Sequence, residues 1–206
     1  MLQTAAVYPR TLAILKEIML LSNLQHFTLV GGTALALQIG HRISIDLDFF
    51  TTQDYDDYAV QTILEKIGKM EVLVSKPPFL QIRLDEVKLD FFKYPYPFID
   101  EYQTIEGVRM ADIETIAVMK LLAISRRGVK KDFYDLYFIL ERYGMAELIA
   151  LFEKKLPNVD TFHILKSLSY FEDADPDPDP KMLQKASWTT VKKTIAQKTR
   201  NYLKSL

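Results

Sequence analysis

The chain has 206 residues, of which 49% are hydrophobic and 26% are charged, and its formal net charge is −1. This composition is ordinary for a soluble globular protein, and a net charge near zero provides no global field that would attract nucleic acid. The chain contains no cysteine, which excludes disulfides and thiolate zinc sites. No apolar stretch approaches the roughly 20 residues that span a bilayer, so we expect a cytoplasmic protein without membrane contact.

The first half of the chain predicts a mixture of helices and strands. Apolar residues at helical spacing predict a helix over 9–23, and a short strand follows over 27–30. Gly31 and Gly32 interrupt the pattern before a second helix over 33–38. Further along, we predict a strand over 42–50, a helix capped within 51–54 that ends near 67, and strands over 71–75, 80–84 and 87–92, the last two joined by a turn at Asp85-Glu86.

The second half predicts only helices and loops. Asp112 can cap a helix over 113–126. Alternating aspartate and proline over 173–180 predicts either an extended linker or a surface loop. The fold class is therefore α/β (α+β), with a mixed-sheet core over 1–110 and a helical region over 111–206 that closes one side of a cleft. Further helices are predicted over 132–143, 145–155, 160–170 and 182–206.

Polar and apolar residues alternate along the predicted strand over 42–50. Because successive side chains of a strand point to opposite faces, Asp46 and Asp48 share one face with Arg42 and Ser44. Two carboxylates that close raise each other's pKa unless a cation lies between them. A divalent ion resolves this repulsion, and carboxylate ligands suit Mg²⁺ or Mn²⁺. The alternative is an edge strand that carries two solvated acids.

The double glycine lies one predicted helix upstream of these acids. A turn between a strand and a helix presents backbone N–H groups where phosphate oxygens bind, although such turns are also common without a ligand. Asp90 lies in the strand over 87–92. If that strand neighbours the one with Asp46, Asp90 can act as a general base or as a third metal ligand. Otherwise it is a surface acid of a hairpin.

The order of a Gly-Gly turn, an Asp46-x-Asp48 strand and a later strand with Asp90 resembles the nucleotidyltransferase superfamily that includes DNA polymerase beta. More narrowly, residues 31–36 followed by Arg42-x-Ser44-x-Asp46-x-Asp48 resemble the AbiEii/AbiGii abortive-infection toxin family. A second block of that family is matched by residues 120–123 and 131–137, so that the two blocks together cover residues 25 to 143.

The resemblance implies a nucleotide site that draws on both halves of the chain. The phosphates of a nucleoside triphosphate would lie between the double glycine and Lys120, and Lys120 and Asp132 would face the cleft. From the residues alone, Lys120 could equally be a solvated lysine, and Asp132 could be a helix N-cap. Asp135 could be structural and hold Arg126 or Arg127. The predicted catalytic and metal-binding residues are Asp46, Asp48 and Asp90, and the predicted nucleotide-binding residues are Gly31, Gly32, Thr33, Arg42, Ser44, Lys120 and Asp132.

Basic residues concentrate in the segment 126–131. This cluster could steer an RNA backbone toward the site. It could equally be a set of cations that the dipole at a helix C-terminus favours.

These expectations describe a nucleotidyltransferase that depends on Mg²⁺ or Mn²⁺. It would move a nucleotide from a nucleoside triphosphate to an acceptor. The resemblance implies an RNA acceptor such as a tRNA end, and a toxin with a cognate antitoxin as partner. Two alternatives stay open: a degenerate module that binds a nucleotide or a partner without turnover, and a transferase that modifies a protein acceptor.

Overall fold

The computed structural model of the protein describes residues 1–96 and 102–206. The chain forms two compact units, Met1–Asp112 and Ile113–Leu206. The first unit is a mixed sheet with three α-helices among its described residues, and the second consists of helices and loops. Within the described part of the chain, no helix is both long enough and apolar enough to cross a membrane.

Among the described residues of the first unit, seven strands make up the sheet. They are β1 (Thr28–Val30), β2 (Leu47–Thr51), β3 (Met70–Lys76), β4 (Phe79–Leu84), β5 (Val87–Lys93), β6 (Tyr102–Ile105) and β7 (Val108–Ala111). Their order in space is β3-β4-β5-β2-β1-β7-β6. The pairs β2–β5 and β1–β7 are parallel, whereas the remaining neighbours are antiparallel.

The central strands bury one face and leave the other partly exposed. Along β2, Leu47 and Phe49 are fully buried, and Leu89 and Phe91 are fully buried along β5. The rings of Phe49 and Phe91 stack with centroids 5.1 Å apart, and these two residues are also register partners. Burial of these side chains fixes the register, because a slip of one residue would turn all of them to the opposite face.

Three α-helices accompany the sheet in the first unit. They are α1 (Pro9–Leu20), α2 (Gly31–Ile39) and α3 (Asp57–Leu64). Asp56 caps α3 by accepting a 2.9 Å hydrogen bond from the backbone N–H of Tyr58. The cap predicted within 51–54 is therefore wrong, because β2 continues through Thr51 and the helix begins later.

The second unit contains five helices. They are α4 (Ile113–Arg127), α5 (Lys130–Leu140), α6 (Met145–Lys155), α7 (Thr161–Ser167) and α8 (Trp188–Leu203). Helix α4 packs against α5, α6 and α7, and α8 packs against α5 and α6. Helix α8 is shorter than the predicted 182–206 because Ser187 caps it, accepting a 3.1 Å hydrogen bond from the backbone N–H of Thr190.

The Asp-Pro segment over 173–180 is an anchored surface loop, which decides between the two interpretations of its sequence. Lys130 is buried, and its backbone N–H donates to Asp177 Oδ2 at 3.0 Å while its Nζ donates to the carbonyl of Asp175 at 3.2 Å. The indole N–H of Trp188 donates to Asp175 Oδ1 at 2.6 Å. Ala174 is fully buried. The loop therefore packs onto α5 and α8 rather than acting as a linker.

Two further differences from the sequence prediction concern strands. The strand predicted over 42–50 begins only at Leu47, and Ile45, predicted to face the core, is 55% exposed. Residues 42–46 form a connecting segment, although Ser44 bridges to Val7. Strands β6 and β7 were not predicted; their hairpin turns at Glu106 and Gly107, which both have positive φ, as two-residue hairpin turns require.

Candidate functional site

Asp48 and Asp90 lie side by side on the partly exposed face of the sheet. They are register partners across the parallel strands β2 and β5. The buried neighbours on either side of each aspartate anchor the strands, so both carboxylates must point to the other face. The condition that the sequence set for a role of Asp90, that its strand neighbours the strand with the other aspartates, is met. This geometry places two like charges together in a partly desolvated environment, which is unfavourable unless a cation is shared.

Neighbouring strands hold the Asp90 carboxylate in place. The side-chain amide of Gln81 on β4 donates a 2.8 Å hydrogen bond to Asp90 Oδ1. Lys88 Nζ lies 3.5 Å from Asp90 Oδ2. Gln81 was missed by sequence reasoning, yet the two-residue turn at Asp85-Glu86 makes it predictable. Counting back from that turn pairs Gln81 with Asp90.

Gly31 brings the start of helix α2 against Asp48. Its φ is +70°, in the left-handed region that favours glycine. A Cβ at this position would lie less than 3.0 Å from Asp48 Oδ2. Both the backbone conformation and the space therefore require glycine here. The N-cap residue Val30 supplies no side-chain acceptor to the first turn of the helix.

Replacing Gly31 with alanine tests this close approach. We expect Gly31→Ala to lower the free energy of unfolding by the left-handed strain of about 1–2 kcal/mol, and by a further amount for displacing the Asp48 carboxylate. Gly107→Ala is the matched control, because Gly107 has φ +81° but nothing within 4 Å of its Cβ position. Urea unfolding of both variants measures the difference. Equal losses would contradict a steric constraint between Gly31 and Asp48.

Arg42 and Ser44 lie next to the same helix start although they are not on β2. A Cβ on Gly32 would collide with Arg42 Nη2, and Arg42 is buried, with 4% of its surface exposed. The Thr33 hydroxyl lies 2.8 Å from Ser44 Oγ and also contacts the carbonyl oxygen of Asp46. These contacts hold the connecting segment against the start of α2. The predicted site residues of the first unit thus lie in three places: the start of α2, the connecting segment 42–46, and the strands β2 and β5, which carry Asp48 and Asp90.

Magnesium fits the donor set that β2 and β5 provide. Mg²⁺ in proteins commonly takes one or two carboxylates and completes its coordination with water and substrate phosphates, and Asp48 and Asp90 supply such a pair. Among residues 1–96 and 102–206, no group of three or more histidine, aspartate or glutamate side chains is arranged to hold a metal ion. Asp46, the third predicted ligand, lies just before β2 and is half-buried.

The helical unit contains a buried charge cluster around Lys120. Lys120 Nζ lies 2.7 Å from Asp132 Oδ1 and 2.5 Å from Asp135 Oδ2. Both carboxylates are fully buried, whereas the Arg127 side chain, which donates to Asp132 Oδ2 at 3.0 Å, is 56% exposed.

This geometry decides between the interpretations of the sequence. Lys120 is not the solvated lysine that one interpretation allowed. Asp132 lies inside α5 rather than at its N-cap, which is Val129. Asp135 pairs with Lys120, and its pairing with Arg126 or Arg127 stays a prediction.

The charges of this cluster determine how Asp132 ionises. Burial alone would raise the pKa of its carboxyl, and Asp135 acts in the same direction. The cations of Lys120 and Arg127 outweigh both effects and lower the pKa of Asp132 below its usual value. Asp132 is thus ionised at neutral pH, and its charge is met by cations of the helical unit.

Solved structures of other proteins share the fold of this chain. The structure resembles JHP933 from Helicobacter pylori (TM-score 0.56, 20% identity, covering 97% of this chain and 94% of that one). It also resembles MenT4, the nucleotidyltransferase toxin Rv2826c from Mycobacterium tuberculosis H37Rv (TM-score 0.61, 18% identity, covering 95% of this chain and 84% of that one). The fold is thus that of nucleotidyltransferase toxins.

Sequence comparison identifies the family. Residues 13–204 match the family described as nucleotidyl transferase AbiEii toxin, type IV TA system, and the chain belongs to it. The uncharacterized protein aq_aa25 of Aquifex aeolicus (strain VF5) is 36% identical over 197 residues, which cover 93% of this chain and 95% of that protein. The predicted membership and the predicted nucleotidyltransferase class are therefore confirmed.

Proposed function

We propose that the protein is a Mg²⁺- or Mn²⁺-dependent nucleotidyltransferase that moves a nucleotide from a nucleoside triphosphate to an RNA acceptor, such as the end of a tRNA. The observation that carries this proposal is the register pairing of Asp48 with Asp90 beside the glycine turn. This pair is a site for a hard cation, and the turn is a site for phosphate oxygens. The antitoxin partner and the cytoplasmic location are part of the proposal, because the family is one of toxin–antitoxin systems.

In the proposed reaction the acceptor hydroxyl attacks the α-phosphorus in line. A new oxygen–phosphorus bond forms while the bond from the α-phosphorus to the pyrophosphate oxygen breaks, and pyrophosphate leaves. The Asp90 carboxylate, oriented by Gln81, accepts the hydroxyl proton. Asp48 and Asp90 would hold the metal ion, with Asp46 as the nearest further carboxylate. A bound divalent ion neutralises charge that develops on the phosphate oxygens.

The remaining proposed residues position the nucleotide. Backbone N–H groups of Gly31, Gly32 and Thr33 begin α2 and would face the phosphates. Arg42 places a guanidinium against this turn, where it can contribute a charge-assisted bond to a phosphate oxygen. Ser44 positions the start of α2 through its 2.8 Å contact with the Thr33 hydroxyl. Contacts of Lys120 and Asp132 with the nucleotide remain predictions from the family resemblance.

Position-specific labelling tests which bond breaks. We expect radioactivity from an α-labelled nucleoside triphosphate to enter total RNA, and radioactivity from a γ-labelled one to leave as pyrophosphate. Treating the labelled product with nuclease or with protease separates an RNA acceptor from a protein acceptor. Transfer of the γ-label would contradict nucleotidyl transfer, and protease-sensitive label would replace RNA by protein. Nucleotide binding without release of pyrophosphate would indicate a module without turnover.

Metal removal should stop the reaction without unfolding the protein. We expect chelation with EDTA to abolish transfer, and added Mg²⁺ or Mn²⁺ to restore it, because two adjacent carboxylates need a cation to receive phosphate oxygens. Calcium provides a useful comparison, since its longer and more flexible coordination should support nucleotide binding better than transfer. Full activity in EDTA would contradict the metal assignment.

A further inference from the structure

A concave site lies wholly within the helical unit. It is a cavity of about 290 Å³ between the C-terminal end of α4, helix α7 and the segment that follows α7. The carboxylates Asp48 and Asp90 belong to the other unit, and neither lines this cavity. Three cationic side chains line it against a single carboxylate, Asp173: they are Arg126, Arg127 and Lys166.

The three cations differ in whether they form an ion pair with a carboxylate. Arg127 donates to the buried Asp132. For Arg126 and Lys166, the part of the chain that the structure describes offers no carboxylate within 4.0 Å. Asp173 accepts a 3.3 Å hydrogen bond from the hydroxyl of Tyr170. The lining of the cavity therefore carries a net positive charge, and among residues 1–96 and 102–206 neither Arg126 nor Lys166 has a carboxylate partner.

The helix ends explain only part of this arrangement. Arg126 and Lys166 each lie in the last turn of a helix, α4 and α7 respectively, where the helix dipole favours a cation. That effect does not require the two ends to converge on one cavity. An aromatic side chain, Tyr170, is 49% exposed and also lines it. Cations beside an exposed aromatic ring form the combination by which proteins bind a single-stranded nucleic-acid backbone and stack a base.

We propose that this cavity, with Arg126 and Lys166 as its phosphate contacts and Tyr170 as a stacking platform, is an RNA-backbone docking site on the helical unit. It rests on the proposed function, because it serves to hold the RNA acceptor. Its chemistry fits the phosphodiester of an unpaired segment better than a duplex, since stacking on Tyr170 requires an unstacked base. The near-neutral net charge of the protein makes such a local site necessary for binding a polyanion.

Charge reversal at Arg126 and Lys166 tests the proposal. We expect Arg126→Glu/Lys166→Glu to bind a fluorescein-labelled, single-stranded RNA oligonucleotide about tenfold more weakly than the wild type. The slope of log affinity against log salt should flatten by about 0.7 for each lost phosphate contact. Fluorescence anisotropy between about 50 and 200 mM salt measures both quantities. Arg126→Gln/Lys166→Gln, which adds no negative charge to the helix ends, should give the same change in slope if the reversed variant fails to fold.

A matched pair on α8 controls for overall charge. Lys193→Glu/Arg200→Glu makes the same change in net charge at two exposed positions, and its RNA affinity should stay close to that of the wild type. An equal loss in both double variants, or no loss in either, would overturn the proposal. Tyr170→Ala should weaken binding of the RNA and leave ATP binding unchanged, whereas a purely electrostatic surface would show no effect.

The docking site and the transfer reaction can fail separately. RNA binding that depends on Arg126 and Lys166 in a protein that transfers no nucleotide would remove the proposed function and keep the site. Transfer to RNA that proceeds with the same KM in Arg126→Gln/Lys166→Gln would keep the function and remove the site.

Discussion

Asp48→Asn should lower the rate of nucleotidyl transfer at least about a thousandfold, equivalent to about 4 kcal/mol of transition-state stabilisation. The reason is that Asp48 and Asp90 together form the paired carboxylates proposed to hold the metal ion. An amide at position 48 keeps the shape of the side chain and removes its charge. Single-turnover transfer from an α-labelled nucleoside triphosphate at saturating Mg²⁺ measures the loss.

The same substitution should leave stability unchanged or raise it slightly. Two carboxylates at register positions of neighbouring strands repel each other in the metal-free protein, and removing one relieves up to about 1 kcal/mol of that repulsion. A loss of activity without a loss of stability distinguishes a functional residue from a structural one. Thermal unfolding in EDTA measures this second effect, and Mg²⁺ should stabilise the wild type more than the variant.

A surface aspartate provides the control for the chemistry of the substitution. Asp54 is 94% exposed at its side chain and lies 2.6 Å from Nζ of the exposed Lys93. Asp54→Asn should therefore retain wild-type transfer and stability within about 0.5 kcal/mol. Asp90→Asn should lower the rate of transfer as much as Asp48→Asn does. The rate of Asp46→Asn shows whether the third aspartate contributes to transfer. Wild-type transfer in Asp48→Asn would refute the proposed active site.

The pairing of Asp48 with Asp90 could be anticipated because it follows from local patterns. Apolar residues alternate with polar ones along both strands, and alternation alone decides which face each carboxylate occupies. The two-residue turn at Asp85-Glu86 fixes the register of β4 with β5, and positive φ at both residues is the conformation such a turn needs. That β5 neighbours β2 in parallel could not be read from these patterns, because strand order is not a local property of the sequence.

The connecting segment before β2 shows where alternation misleads. Arg42 and Ser44 are buried although they are polar, and Ile45 is exposed although it is apolar. Contacts with the start of α2 override the pattern: Thr33 bonds to the segment, and Arg42 occupies the space that Gly32 leaves. These contacts join positions about ten residues apart through side-chain geometry, which a two-residue period cannot encode.

Lys120→Met should lower the free energy of unfolding by about 3–5 kcal/mol, the typical effect of removing one partner from a buried ion pair. Lys120 is the cation that both Asp132 and Asp135 contact, and neither carboxylate is exposed. Without it, two buried carboxylates lose the cation that they share, and Asp132 keeps only its contact with the more exposed Arg127 among the cations described above. Arg127→Met removes the more exposed partner and should cost less than about 1 kcal/mol. Urea unfolding at neutral pH measures both variants.

The pH dependence of stability should change sign between the wild type and Lys120→Met. In the wild type, the pKa of Asp132 is lower in the folded state than the ordinary value of 3.8. The stability that this provides is complete above the unfolded value and is lost as the pH falls through the folded one. In Lys120→Met the lysine no longer lowers the pKa of Asp132, whereas burial and Asp135 still raise it, so the variant should gain stability as the pH is lowered from 8 to 5.

A compensating variant separates charge from packing. Lys120→Met/Asp135→Asn removes one of the two buried carboxylate charges that Lys120 contacts and should recover at least half of the stability lost by Lys120→Met, and its stability should no longer rise on acidification. Should Lys120→Met fail to fold at neutral pH, its refolding at pH 5 supplies the same information. A pH-independent loss, equal in the single and double variants, would mean that Lys120 acts through the packing of its aliphatic chain rather than through the carboxylates.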